Sequence, residues 1–145
     1  NHSNVQDGVV IHALETEEHG KPVEKNLVTV DGKKYAVYVG NSVSLAHQVQ
    51  VHGPAMIRDH TFVGMKSLVF KSQVGTKCVI EPGCIIMGVT VPDGRYVPAG
   101  TVLKNQADAD SLPVIDENYP MKDMNKGVVH VNVALADGYN KDGIK

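Results

Sequence analysis

Leu45-Ala46-His47-Gln48-Val49-Gln50-Val51-His52-Gly53-Pro54-Ala55-Met56-Ile57 is the stretch that decides how this chain folds. Leu45, Val51 and Ile57 fall every six residues, and smaller Val49 and Ala55 stand four places after the first two. The period runs back to Val39 and on to Val63 and Val69. After one five-residue step, Val74, Ile80 and Ile86 resume it, and Val5 and Ile11 show it at the start. Val9, Val43, Thr61, Ser67, Cys78 and Cys84 repeat the small or β-branched position, and Gly40, Gly64 and Gly75 directly follow an aliphatic. An alternating sandwich would show period two. A hexapeptide period indicates a parallel β-helix.

The aliphatic-x-x-x-small-x pattern resembles the left-handed β-helix family. There, three hexads make a triangular coil, the aliphatic fills the prism and the small residue fits its corner. The expected fold is an all-β left-handed parallel β-helix over residues 1–104, with an inserted hairpin tongue. The tongue is the break at residues 17–38. Asp31-Gly32 between Leu27-Val28-Thr29-Val30 and Tyr35-Ala36-Val37-Tyr38 is a strong hairpin signal. Glu17-Glu18-His19-Gly20-Lys21-Pro22 reads as a polar, mobile lead-in. Asp93-Gly94-Arg95-Tyr96-Val97-Pro98-Ala99-Gly100 should close the prism, with Arg95 anchoring the turn. Gln106 to Leu112 suits a short helix after an Asn105 cap, stopped by Pro113. Residues 105–145 form the C-terminal segment. Its pattern is ambiguous: Val129, Val131, Val133 and Leu135 alternate as in a strand, whereas Val128, Asn132 and Leu135 fit a helical stripe with Asn125 as cap. Alternation leans to strand.

The chain has 145 residues, 14 basic against 16 acidic, and no Trp. That charge balance has no basic stripe for nucleic acid, and no apolar run is long enough to span a membrane. Cys78 and Cys84 read as small core residues, without a CxxC motif or a disulfide framework. Asn1 is not Met and already lies inside patterned sequence, which reads as an N-terminal truncation and leaves a signal peptide undecided.

His12 and His52 each follow an aliphatic by one, 40 residues apart; removing the 22 of the interruption leaves 18, one coil. They should stack on one face of adjacent coils, close enough to share a metal, since zinc–nitrogen bonds are about 2.0–2.1 Å. His47 follows Leu45 by two and belongs to the preceding face. A cyclic trimer would bring it to the His12/His52 face of a neighbour. Asp7 shares the hexad place of His47 one coil earlier, beside Gln6, so both should enter from the His47 side and support a ligand or a bound water. His2, His60 and His130 read as ordinary surface residues; His19, on the tongue, is a candidate for proton transfer.

Gln6-Asp7-Gly8-x-x-x-His12, His47-x-x-x-x-His52-Gly53-Pro54 and Arg95-Tyr96-x-Pro98-Ala99-Gly100 resemble the gamma-class carbonic anhydrases, over essentially the whole chain. The resemblance implies a homotrimer with metals at subunit interfaces and, against the strand reading, a C-terminal helix along each prism. It implies His12, His47 and His52 as ligands of zinc, with ferrous iron or cobalt as alternatives. Gln6 matches the residue that hydrogen-bonds metal-bound solvent, Asp7 an interface charge, Glu15 the proton-shuttle glutamate of the archaeal-type subclass, and Asn132 an asparagine that places carbon dioxide or bicarbonate. Glu15-Thr16-Glu17-Glu18 is the acidic tongue that carboxysomal scaffold relatives lack. The family's upstream arginine and one active-site glutamate fall before Asn1, so this fragment is expected to trimerise or turn over poorly. The location implied leans to extracytoplasmic.

The implied reaction is that of a lyase, carbonate dehydratase: hydration of carbon dioxide to bicarbonate and a proton by metal-bound hydroxide. Glu15 occupies a small-residue hexad place where the chain leaves the prism, which suits a carboxylate carrying protons to buffer. Two alternatives are a non-catalytic scaffold subunit of the same type and a hexapeptide acyltransferase with a single histidine base.

Overall fold

A computed structural model describes residues 1–143; the end of the 105–145 segment, residues 144 and 145, lies outside the described residues. The repeat builds a parallel β-solenoid of about 4 turns followed by a helix, the expected fold class. Its first face stacks Asn4–Val5, Ser44–Leu45, Phe62–Val63, Val79–Ile80 and Tyr96–Val97. The second stacks Val10–His12, Gln50–His52, Leu68–Phe70, Ile85–Met87 and Val102–Leu103. The third stacks Val37–Val39, Ala55–Ile57, Gln73–Val74 and Thr90–Val91.

Hexad aliphatics pair with one another from coil to coil: Leu45 with Val63, Val63 with Ile80, Val51 with Val69. Each of these is at most 1% exposed, so the prism is packed with branched aliphatics rather than rings. The repeat runs further than the sequence reading took it. Ile86 to Val91 is a second five-residue step, at the same corner as Val69 to Val74, and Val97 and Leu103 complete another coil.

Corners carry residues in the left-handed region, including Gln48, His60, Lys66, Lys71 and Lys77. Small hexad residues tie coils together from inside: the Thr61 hydroxyl donates to the Gly75 carbonyl at 2.7 Å and accepts from Cys78 N at 3.1 Å. Ser67 does the same for the Glu81 carbonyl and Cys84 N, both at 3.1 Å. Cys78 and Cys84 are free and buried, as expected, and burial pushes the Cys78 thiol up to about 11.

The tongue contains the expected hairpin, Val28–Val30 against Lys33–Tyr35, with Asp31 and Gly32 both at positive φ. The lead-in expected to be mobile is a smaller hairpin, Glu17–Glu18 against Lys21–Pro22, because His19-Gly20 supplies a second turn of two positive-φ residues. Val37–Val39 is already a strand of the third face, so Val37 and Tyr38 belong to the prism rather than to the interruption. Val28, Val30, Tyr35 and Tyr38 pack with Met56 of that face.

Helix α1, Gln106–Asp110, is capped by Asn105, whose side chain accepts from Asp108 N; Ala109 and Leu112 join the core and close the prism. Arg95 holds this closure, donating to the Leu112 carbonyl at 2.5 Å. Residues Met124–Lys141 are a helix, α2, not the strand that alternation favoured. Its inward stripe sits on the first face, where Val128 joins Ala46, Phe62, Val79 and Tyr119. A solenoid face is already complete in hydrogen bonds, so an amphipathic helix can cover it where an added strand would have no free edge to pair with. Asn125 is not the cap, which falls on Asp123; it is buried inside the first turn and donates to the Ser42 carbonyl at 2.7 Å.

A Cβ on Gly64 would meet Pro82 N at 2.7 Å and the carbonyl carbon of Glu81 at 2.8 Å, both backbone of the next coil. Gly64→Ala should therefore destabilise the protein by about 1–3 kcal/mol, the usual range for overpacking. Gly138, in α2, has nothing within 4 Å of such a Cβ. Gly138→Ala should stabilise by about 0.5–1 kcal/mol through the unfolded chain. Denaturant midpoints measure both; an unchanged midpoint for Gly64→Ala would rule out coil approach as the reason for that glycine.

Candidate metal centre

Of the three faces, the first is covered by α2 and the third meets the tongue. Alternation on the second face sends two columns of side chains outward. One column runs Val10, Gln50, Leu68, Ile85, Val102; the other runs His12, His52, Phe70, Met87. Val10, Ile85, Met87 and Val102 are 37–53% exposed.

His12 and His52 are register partners, as their spacing predicted, with ring centroids 5.0 Å apart and planes 34° from parallel. His52 Nδ1 lies 3.0 Å from the Gly53 carbonyl oxygen. A carbonyl can only accept, so Nδ1 carries the proton and Nε2 keeps its lone pair.

His47 lies in the corner between the first and second faces, one coil from Asp7; Gln48 N donates to the Asp7 carbonyl at 2.9 Å. His47 Nδ1 hydrogen-bonds the Asp7 carboxylate, which again leaves Nε2 as the free ring nitrogen. The hydrogen bond from His47 is the main reason the Asp7 carboxyl is held below its ordinary value. Gln6 Nε2 donates to Asn4 Oδ1 at 3.0 Å, and Asn4 Nδ2 donates to Ser44 Oγ at 2.9 Å. This chain fixes the Gln6 amide with its oxygen as the spare acceptor.

The His47 corner and α2 enclose a groove of about 670 Å³, whose walls include Gln6, Asp7, His47, Val128, Val131 and Asn132. Asn132 Nδ2 donates to the Val128 carbonyl at 2.9 Å, within its own helix, so its oxygen is the group left for the groove. Four of the seven residues singled out from sequence thus share one cavity. His12 and His52 stand apart on the second face. Glu15 is exposed, three residues past His12, with its carbonyl held by Asn26 Nδ2 at 2.7 Å. His19 is at the tip of the small hairpin, 3.9 Å from the exposed Glu18 carboxylate. Among the described residues, no three His, Cys, Asp or Glu side chains of one chain converge as a metal set.

Three participants escaped the sequence reading. Asn4 shares the hexad place of Ser44, just before the aliphatic, and Phe70 shares that of His12 and His52; both could have been found by extending the register argument to non-titratable residues. The Gly53 carbonyl on His52 had no sequence signal beyond adjacency.

No family model matches the chain. A carbonic anhydrase of Methanosarcina thermophila is 61% identical over 140 residues, 96% of this chain and 57% of that relative. A carboxysome assembly protein of Nostoc sp. is 42% identical over 137 residues, 94% of this chain and 23% of that relative. The mitochondrial gamma carbonic anhydrase 1 of Arabidopsis thaliana is 24% identical over 100 residues, 69% of this chain and 30% of that relative. The chain thus spans a little over half of the first relative and less than a third of the other two. Hexapeptide solenoid, C-terminal helix and high identity over nearly the whole chain together make this protein a homologue of the gamma carbonic anhydrases.

Proposed function

We propose that this protein is a metal-dependent carbonic anhydrase, interconverting carbon dioxide and bicarbonate at sites shared between the subunits of a homotrimer. One observation carries the reading. Two incomplete half-sites lie on different sides of one prism: a bare apolar face bearing His12 and His52, and a groove bearing His47, Gln6 and Asn132.

The residues suit a divalent metal on their own chemistry. His47 and His52 each have Nδ1 committed to an oxygen acceptor, which turns Nε2 outward as a neutral ligand. His12 adds a third imidazole beside His52. Three neutral imidazoles with an open position form a zinc site of the catalytic type, and iron or cobalt take the same donors. When bound, the metal supplies the Lewis acidity that makes water a nucleophile near neutral pH.

The remaining roles belong to the chain. Gln6, fixed through Asn4, offers its carbonyl oxygen to orient a water or hydroxide. Asp7 holds the His47 ring and its tautomer. Asn132 and the apolar wall of Val128 and Val131 give carbon dioxide a place with one polar edge. Glu15, exposed beside the His12 strand, carries the proton to buffer. The gamma-type scaffold remains the second reading, favoured by the 42% identity to a carboxysome assembly protein. It differs in one outcome: no hydration activity, with metal bound or not.

Sharing of the site is tested by complementation. His47→Ala and His12→Ala proteins should each be inactive, since every interface lacks one ligand. After unfolding, mixing equally and refolding, roughly three quarters of rings are mixed, each with one complete site in three. About a quarter of wild-type hydration activity should return. No recovery, with one variant isotope-labelled and mixed trimers demonstrated by mass, would exclude a shared site.

Glu15→Ala should lower the maximal hydration rate in weak buffer while isotope exchange between carbon dioxide and bicarbonate continues. Imidazole should restore part of the rate, because a diffusible base replaces the tethered one. A maximal rate equal to wild type in weak buffer would remove Glu15 from proton transfer.

A further inference from the structure

We infer that Phe70 positions the histidine pair: it fixes the tilt of His52 and, through it, of His12. This rests on the metal reading above and adds a residue that binds nothing itself. Phe70 is the register partner of His52, one coil beyond it and two coils from His12 on the outward column. Its ring centroid is 4.9 Å from that of His52 with planes 38° apart, nearly the same relation as between His52 and His12. The three rings form one continuous ladder.

The ladder answers a mechanical need. Rotation of an imidazole about its terminal torsion is broad, and on this outer face His12 is exposed and His52 only half-buried. The Gly53 carbonyl chooses which His52 nitrogen carries the proton, but one bond to an adjacent residue leaves the ring free to tilt about it. A tilted, face-offset aromatic neighbour removes that freedom. Among the described residues His12 makes no side-chain hydrogen bond, so His52 is the neighbour that orients it.

Phe70 is itself well held. Its carbonyl accepts from Ser72 Oγ at 2.8 Å and from Gly88 N at 3.1 Å. Lys71 N donates to the His52 carbonyl at 2.9 Å, and Lys71 Nζ lies 5.4 Å from the Phe70 centroid. The residue that follows Phe70 thus ties its strand to that of His52 and places a cation by its ring.

The test compares Phe70→Leu, which keeps apolar bulk and loses the ring, with Phe70→Tyr, which keeps the ring. Zinc affinity is measured by competition with a chromophoric chelator, and assembly by sedimentation. Phe70→Leu should bind zinc roughly tenfold more weakly while assembling as wild type does, and Phe70→Tyr should stay within about twofold of wild type. Equal affinity in Phe70→Leu, equal weakening in Phe70→Tyr, or weakening explained by dissociation would each overturn the positioning role. A metal-free arm reads the ladder directly. Proton resonances of the His52 ring, identified by their loss in His52→Gln, should show an upfield ring-current shift that Phe70→Leu reduces and Phe70→Tyr preserves. An unchanged shift in Phe70→Leu overturns the inference whatever the zinc result. A wild-type chain that binds no zinc overturns the metal reading instead, which is a separate failure.

Discussion

Parallel stacking of coils in strict register is the constraint from which the rest follows. Each rung is hydrogen-bonded to the next at about 4.7–4.9 Å, so residues one coil apart occupy the same environment. A hexad site that is aliphatic on one coil must be aliphatic on the next, as Leu45, Val63, Ile80 and Val97 are. The same rule makes ladders of unlike function. Thr61 and Ser67 bridge coils from inside, Asp59 and Asp93 accept from Asn41 N and Thr76 N at equivalent corners, and His12, His52 and Phe70 stack outside. Close approach at the corners explains the glycines: a Cβ on Gly40 or Gly75 would lie 2.2 or 2.4 Å from those aspartate oxygens.

Register also decides what was legible in the sequence. The solenoid, its three faces and the His12–His52 pair follow from counting, because each coil measures itself in residues. Asp7 meeting His47 followed the same way. Counting fails where geometry is not periodic. Val129, Val131, Val133 and Leu135 alternate, yet they lie on a helix, since what selects the conformation is the face to be covered and not the four valine-rich positions themselves. The Glu17–Pro22 hairpin looked mobile because polar composition says nothing about His19-Gly20 reaching positive φ. The second short corner, Ile86 to Val91, was hidden because a second break in the six-residue period looks like the end of the repeat, whereas two such steps at one corner are a property of the prism. Which residues fill the groove with His47 depended on where α2 lies, and no spacing within the repeat encodes that.

The same geometry argues that a prism cannot build a three-imidazole site alone. Nitrogens around a tetrahedral metal are about 3.3 Å apart, given bonds of about 2.0–2.1 Å. Adjacent rungs can meet that demand if their rings lean together, as His12 and His52 can across one strand spacing. A third histidine on the same column would start roughly 10 Å from the first, two strand spacings away, and this column has Phe70 there. A ligand on the neighbouring face turns away round the corner, as His47 does toward the α2 groove. Two ligands from one ladder plus one from another body is therefore the arrangement a straight, convex solenoid favours. On the proposed reading, the exposed Val10, Ile85, Met87 and Val102 on the ladder's own face would supply apolar surface for that second body, so that one contact would both bury the face and complete the metal set.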